Sequence, residues 1–409
     1  MSELAEQGLR WLLGQARPAR DGALIWTTHP GDDEIDPTLY GGAAGIVVTL
    51  LEAHRQLGDD RYADAAVRGA RGIAAEVERW EHSSLYFGVC GMAFGLHLVG
   101  GRLGDREAAA ASRRALDVVR SRFDGERWGD QFELLGGNAG IGLGALACGD
   151  LELALLAVEP YLRTAEPTSG GVHWEVRQGT PARFHHISHG TLGIVLALVA
   201  VGEATGRADL TDLALAAAAD VVSRDEAGPQ GFLVPHSDPQ HRPELIERYS
   251  YGWCHGPAGD AQVFRALEQV TGDASWRAIG DRCWHTVITS GVPQRVRPGF
   301  WDNSGRCCGT AGVLALACDR YAEESSDLSF ADVLVADLAS RATIDADGAR
   351  WSNVEHRATP SDLPPRTGWA MGNAGIVREL LRYARVVAGG DGDPAYAVTW
   401  PDHPAVARR

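Results

Sequence analysis

Seven short apolar runs punctuate the chain: IVVTLLEAH, GLHLVG, IGLGALA, IVLALVAVG, AQVFRALEQV, VLALACDRYA and IVRELLRYA. Each follows a tight glycine turn of the form G-x-x-G. The copies are GAAG at Gly42, GNAG at Gly137, GTLG at Gly190, GPAG at Gly256, GTAG at Gly309 and GNAG at Gly372, with GMAF at Gly91 as a degenerate one. Between the turns lie Ala-rich stretches such as DREAAAASRRALDVVRSRF and DLTDLALAAAADVVSR, apolar at helical period with charged faces. The first glycines are 49, 46, 53, 66, 53 and 63 residues apart, longer than a tetratricopeptide hairpin and close to a longer two-helix unit.

Each unit therefore reads as an inner apolar helix opened by glycine and an outer amphipathic helix. Glycine lets the backbone turn tightly and neighbouring helices approach closely. Seven such hairpins predict an all-α fold, an α/α toroid whose glycine turns converge on one mouth. Closure is favoured over an open solenoid because neither end shows the polar capping repeat that an open array needs. The first residues read as an amphipathic helix with Leu4, Leu9, Trp11 and Leu12 or Leu13 on its apolar side. Residues 1–395 are expected to form a single toroid domain and 396–409 a C-terminal tail. The β-prone pieces GGVHWEV, GFLVP and ARWSNVEHR read as small loop ribbons.

Composition narrows the function. At 409 residues and 45% hydrophobic the chain can bury a large core, and a net charge of −16 argues against nucleic acid or an anionic membrane as partner. No run of 18 uninterrupted apolar residues is present, and the start lacks the basic, apolar and small order of a signal peptide, so stable membrane insertion is not expected. Seven cysteines, an odd number without regular spacing, suit a reducing cytoplasm and thiols kept for metal or catalysis. No G-x-x-x-x-G-K-[ST] phosphate loop occurs.

The candidate chemistry sits in GWCHGPAG, with Cys254, and RCCGTAG, with Cys307 and Cys308. Three thiols from two distant segments suit a zinc site with one open coordination position, since a closed structural site needs a fourth protein ligand. The alternative is buried structural cysteine, the usual fate of a free thiol. A closed ring makes the fifth and sixth repeats neighbours, which lets Cys254 meet the Cys307/Cys308 pair. Cys90, Cys148, Cys283 and Cys318 fall in or beside helical runs and read as core.

SHGTLGI, GWCHGPAG and RCCGTAG, with the sevenfold spacing from TLYGGAAGI to GWAMGNAGIVRELLR, resemble the lanthionine synthetase C family of cyclases and their LanC-like relatives. The resemblance implies an α/α toroid with Zn²⁺ in its central cavity. It places Cys254 and Cys307 at the family's two zinc cysteines, and Cys308 where most members have histidine and some carry a Cys-Cys-Gly variant. His189 matches the catalytic histidine. Glu133 falls where many bacterial cyclases carry aspartate. The nearest arginine ahead of the first zinc cysteine is Arg248.

Each residue keeps a plainer reading beside the functional one. His189 is a proton donor at the mouth or a core histidine, and His255 a second donor or only a support beside Cys254. Glu133 holds His189 or starts its helix, where the dipole favours a carboxylate. His185 and His186 read as a polar rim, and Trp253, Trp301 and Trp369 as cavity wall. The resemblance implies addition of cysteine thiols to dehydroalanine or dehydrobutyrine in a dehydrated precursor peptide, supplied by a separate dehydratase. Rival readings are addition of glutathione to dehydrated residues, a non-catalytic zinc-keeping adaptor, a toroidal prenyltransferase subunit and a toroidal glycosidase. The prenyltransferase is expected to use an Asp/Cys/His ligand set. The glycosidase needs two opposed carboxylates, and only Glu133 and Asp302 lie near a glycine turn.

Overall fold

The computed structural model describes residues 2–324, 327–354, 362–389 and 398–403. Helix α1 (Ser2–Gly14) precedes six helical hairpins: α2 (Ala43–Leu57) with α3 (Asp60–Glu76), α4 (Val89–Leu103) with α5 (Arg106–Ser121), α6 (Asn138–Ala147) with α7 (Leu151–Thr164), α8 (Thr191–Thr205) with α9 (Ala208–Val222), α10 (Pro257–Thr271) with α11 (Ala274–Thr289), and α12 (Thr310–Glu324) with α13 (Ser329–Arg341). A last inner helix, α14 (Asn373–Val387), is followed by no outer helix among the described residues. Helix α1 packs on α14 in that place, so the segment read only as an amphipathic start completes the seventh hairpin. The even-numbered helices pack side by side in an inner ring, and α14 meets α2 to close it. The strands are short two-stranded ribbons in the loops, the longest of three residues.

Local chemistry explains the hairpins. Helix α8 is buried almost all round, as an inner helix must be, whereas outer helices such as α5 bury one stripe and expose charge on the other. Four inner-to-outer turns read Gly-Asp: Gly58-Asp59, Gly104-Asp105, Gly149-Asp150 and Gly272-Asp273. Those glycines adopt left-handed φ of 68°, 69°, 79° and 69°, and each aspartate caps the outer helix by accepting a backbone N–H.

The G-x-x-G turns have a different reason for glycine. Their first glycines cap the inner helices in an extended conformation, and what forbids a side chain is the loop folded over the turn. A Cβ on Gly259 would lie 1.9 Å from the Trp253 carbonyl oxygen, and one on Gly45 would lie 2.5 Å from that of Leu39. The same six-residue offset recurs in all seven turns, from Leu85–Gly91 to Trp369–Gly375. It corrects the register of the second repeat: its first glycine is Gly88, the helix cap of G-V-C-G, and Gly91 is the second glycine of an intact turn rather than the start of a degenerate one.

The folded-over loops are stitched to one another around the mouth. The residue two places before each first glycine donates its backbone N–H to the corresponding carbonyl of the next repeat: Tyr40 to Tyr86 (2.9 Å), Tyr86 to Leu135 (3.2 Å), Leu135 to Ser188 (3.3 Å) and Ser188 to Cys254 (3.3 Å). Cys254 then donates to Cys307 (3.1 Å), Cys307 to Ala370 (2.8 Å), and Ala370 back to Tyr40 (3.0 Å). Seven hydrogen bonds thus form a closed circle, and two of the three cysteines are members of it.

Deeper in the ring, charge is buried in pairs. Arg306 meets Glu379 (3.0 Å), Arg378 meets both Glu52 and Glu379 (3.0 Å each), and Arg265 and Arg382 converge on Asp319 (2.7 and 2.6 Å). Within the stretch expected as a tail, residues 398–403 enter this interior; 396, 397 and 404–409 lie outside the described residues. Trp400 stacks on Trp369 at 4.6 Å and donates to the Tyr86 hydroxyl, while His403 meets Asp319 at 3.0 Å.

Two glycines separate the effect of close approach from that of chain flexibility. Gly259→Ala is expected to destabilise the fold by about 3 kcal/mol or more, because backbone must move. Gly101→Ala, in helix α4 with open space around it, is expected to stabilise by about 0.5–1 kcal/mol. Urea denaturation of both variants checks the contrast.

Candidate metal centre

Because the circle fixes backbone, side chains at equivalent places in successive repeats face a common space. At the residue before the first glycine, repeats four, five and six carry His189, His255 and Cys308; one place earlier, repeats five and six carry Cys254 and Cys307. The sulfurs of Cys254, Cys307 and Cys308 all lie within 4.8 Å of one another. Cys254 Sγ is 3.1 Å from Cys308 Sγ, which is 3.5 Å from Cys307 Sγ. All seven cysteines are free; Cys90, Cys283 and Cys318 are buried and Cys148 partly so.

The donor set fits a metal ion. Tetrahedral zinc with Zn–S near ~2.3 Å sets ligand sulfurs about 3.8 Å apart, a small spreading from the spacings here. Hydrogen bonds from Cys254 and then Cys308 hold the Cys307 thiol well below its ordinary pKa, and Cys254 is raised by the same contact with Cys307. Cys254 and Cys307 are buried, Cys308 is partly exposed, and a cavity of about 340 Å³ opens beside Cys254 and Cys308. A three-ligand site built on these sulfurs would have its open position on that side.

His189 and Glu133 come together as the sequence suggested. Glu133 Oε2 lies 3.3 Å from His189 Nδ1, and the carboxylate also accepts the backbone N–H groups of Leu135 (2.7 Å) and Gly136 (2.9 Å). Glu133 is 1% exposed and His189 24%, so the carboxylate is fixed while the imidazole reaches the mouth. Glu133 precedes α6 by five residues and belongs to the turn, not to the start of the helix. His255 is stacked on His189 with ring centroids 5.3 Å apart, and its Nδ1 lies 3.0 Å from Cys254 Sγ. Burial, then neighbouring His236, pushes His255 well below the ordinary histidine range and keeps it neutral.

The structure moves other residues away from their expected places. His185 and His186 are each 1% exposed, so they form no rim; His186 Nδ1 meets the buried Asp260 carboxylate at 2.7 Å. Arg248 turns from the sulfurs to Glu226 and Tyr249. Trp253 and Trp369 meet edge to face at 5.9 Å and both lie against Arg306, and only Trp301 of the three tryptophans walls the cavity. Two contributors went unread. Tyr40, whose hydroxyl is 3.7 Å from Cys307 Sγ, stands in the same register as Cys254 and Cys307, and aligning the seven turns finds it. Burial, then Cys307, raises its pKa well above 10, so it remains a hydroxyl. His236, 4.1 Å from His255 between ring centroids, lies in a loop outside the repeat register and carries no such signal.

Burial also sets a pH response. It is the first cause that pushes His185 and His236 down to about 3 and His403 to about 4. Below about 6.5 the unfolded chain therefore takes up protons that the folded chain refuses, and stability present above that pH is lost as pH falls. Asp402, pushed up to about 6 by burial, acts in the opposite sense between about 4 and 6. From pH 6.5 to 5.5 each of the three histidines removes ~1 kcal/mol and Asp402 returns somewhat less than that. His255, pushed in the same direction, adds to this, so a net loss of roughly 2 kcal/mol or more is expected from urea denaturation at the two pH values.

The comparisons with known proteins agree with the fold. The family described as lanthionine synthetase C-like protein matches residues 33–244 and 240–335. A search of curated proteins finds no match. Among solved structures the chain is similar to nisin cyclase, at 16% identity and a TM-score of 0.63, covering 85% of this chain and 89% of that one. It is also similar to the GH76 α-mannanase BT2949 of Bacteroides thetaiotaomicron (11% identity, TM-score 0.53, covering 94% and 96%). The GH76A α-1,6-mannanase of Salegentibacter sp. HEL1_6 is a third (12%, 0.52, covering 94% and 99%). At these identities the likeness concerns the fold alone. With the family matched over most of its length, the chain belongs to the lanthionine synthetase C-like proteins.

Proposed function

We propose that this protein is a zinc-dependent cyclase that adds cysteine thiols to dehydroalanine or dehydrobutyrine in a dehydrated peptide, forming lanthionine or methyllanthionine rings. The observation that carries the reading is a cluster of three convergent sulfurs near a partly exposed imidazole that lies 3.3 Å from a buried carboxylate. Cys254, Cys307 and Cys308 would hold the ion. When bound, zinc lowers the pKa of a substrate thiol enough to make it a thiolate near neutral pH.

The chain's own residues do the rest. The 340 Å³ cavity beside Cys308 would admit the thiol-bearing residue. As sulfur bonds to the β-carbon of the dehydrated residue, electrons move to the α-carbon and carbonyl, and a proton must arrive at the α-carbon. Glu133, 3.3 Å from His189 Nδ1, would hold that edge of the ring by charge and leave Nε2 as the nitrogen that transfers the proton. His255, buried and neutral against Cys254, supports the ring by stacking. The partner implied is a dehydratase acting first on serine and threonine of the same peptide.

The purified protein is expected to hold about one zinc per chain. Metal analysis of Cys254→Ala and Cys307→Ala should show that zinc lost, and full retention in both would move the metal elsewhere. His189→Asn should keep the zinc yet slow ring closure on a dehydrated peptide by ~10²–10⁴-fold, the usual worth of a general acid. Adducts of glutathione in place of rings, by mass spectrometry, would change the thiol donor; zinc retention without either product would leave a binding protein.

A further inference from the structure

The cavity beside Cys308 and His255 has a mixed wall, in which Ile246, Tyr251, Phe300 and Trp301 form the apolar part beside polar residues such as Ser250 and Asn303. Two loops build it, residues 223–256 between α9 and α10 and residues 290–309 between α11 and α12. The longest glycine interval in the chain, Gly190 to Gly256, is spent on the first of them. The loops are joined. Arg297 forms a two-pronged pair with Glu247 (2.8 and 2.7 Å), and the Tyr251 and Phe300 rings meet edge to face at 6.0 Å.

Trp301 is held against its backbone preference. Its φ of 59° lies in the left-handed region, where a bulky residue is an outlier. Its surroundings impose that conformation: the indole N–H donates to Thr310 (3.0 Å), the Thr310 hydroxyl donates to Asp337 (2.9 Å), and Arg341 donates to the Trp301 carbonyl (3.2 Å). Strain maintained in this way gathers at ligand-contacting positions. The acids near the wall are matched by cations, Glu247 by Arg297 and Asp302 by Arg295 at 4.0 Å, which leaves little net charge to attract a charged side chain. On the same loops, Leu245 and Val296 are 55% and 59% exposed, among the most exposed large apolar side chains described.

We propose that this cavity is a specificity subsite that takes a large apolar or aromatic side chain from the residue next to the reacting cysteine of the substrate. The assignment rests on the thiol-addition reading above. At about 340 Å³ the space is near the lower limit of small-ligand cavities and fits one thiol with one neighbouring side chain rather than a folded peptide. Tyr251, Phe300 and Trp301 supply the contact surface, and the Arg297–Glu247 pair keeps the two loops together.

The test uses the zinc-loaded full chain and blocked tripeptides, acetyl-X-Cys-X amides with X as Phe, Leu, Ser or Asp. Binding is read by calorimetry, independently of ring formation. Phe and Leu peptides are expected to bind at least ~10-fold more tightly than Ser or Asp peptides. Phe300→Ala and, separately, Tyr251→Ala should each compress that ratio toward one while zinc content stays at the parent's level. Equal affinities across the panel, or an undiminished ratio in both variants, would overturn the subsite. Preference retained by a protein that joins no thiol to dehydroalanine supports the subsite and removes the cyclase reading; ring formation with no preference does the reverse.

Discussion

A circle of seven backbone hydrogen bonds, running from Tyr40 through Tyr86, Leu135, Ser188, Cys254, Cys307 and Ala370 and back to Tyr40, sets the geometry of the mouth. Each bond joins neighbouring repeats at the same place, so the circle closes only if all seven turns keep one register. The paired glycines make that register possible, because the loop lies directly on the start of the helix, as the 1.9 Å from a Gly259 Cβ to the Trp253 carbonyl shows. Hydrogen bonds of this kind are individually modest, about 1 kcal/mol net. Their collective effect is positional: residues far apart in sequence are held at fixed spacing around one axis.

Since the circle uses only main-chain atoms, it is indifferent to the side chains it presents. The place before the first glycine holds Gly41, Phe87, Gly136, His189, His255, Cys308 and Met371 in turn. Sulfurs and imidazoles occupy one arc and inert groups the other, so the chemistry is one-sided on a sevenfold frame. This is why likeness to both nisin cyclase and α-mannanases is unsurprising, and why fold alone decides neither metal nor substrate.

Beneath the circle the interior is filled by paired charges and a returning segment of the chain. Buried ion pairs contribute little net stability, but removal of one partner strands the other, so Arg306, Glu379, Arg378 and Glu52 act as a unit. Trp400, Asp402 and His403 join that unit from the C-terminal side, and Tyr86 links them to the circle through its hydroxyl. Tyr40 lies edge to face with Tyr86 at 6.3 Å and reaches Cys307, so the packing of residues 398–403 and the sulfur cluster share a short chain of aromatic contacts.

The sequence by itself determined the repeat, the inner and outer helices, the closed ring and the three cysteines, because each depends on local pattern: glycine spacing, helical period and residues in the same motif. It left Glu133 as either a support for His189 or the start of its helix, and the fold puts the two 3.3 Å apart. Tertiary structure decided the rest. The role of α1 as the seventh outer helix depends on where the ring closes, which periodicity does not encode. The register of the second turn, at Gly88 and not Gly91, was settled by which glycine faces a crossing carbonyl. His186, His236 and Asp260 were brought near His255, and Tyr251, Phe300 and Trp301 to the cavity, by side-chain packing and long loops. Contacts between residues distant in sequence leave no periodic trace, and for these the folded chain is the only record.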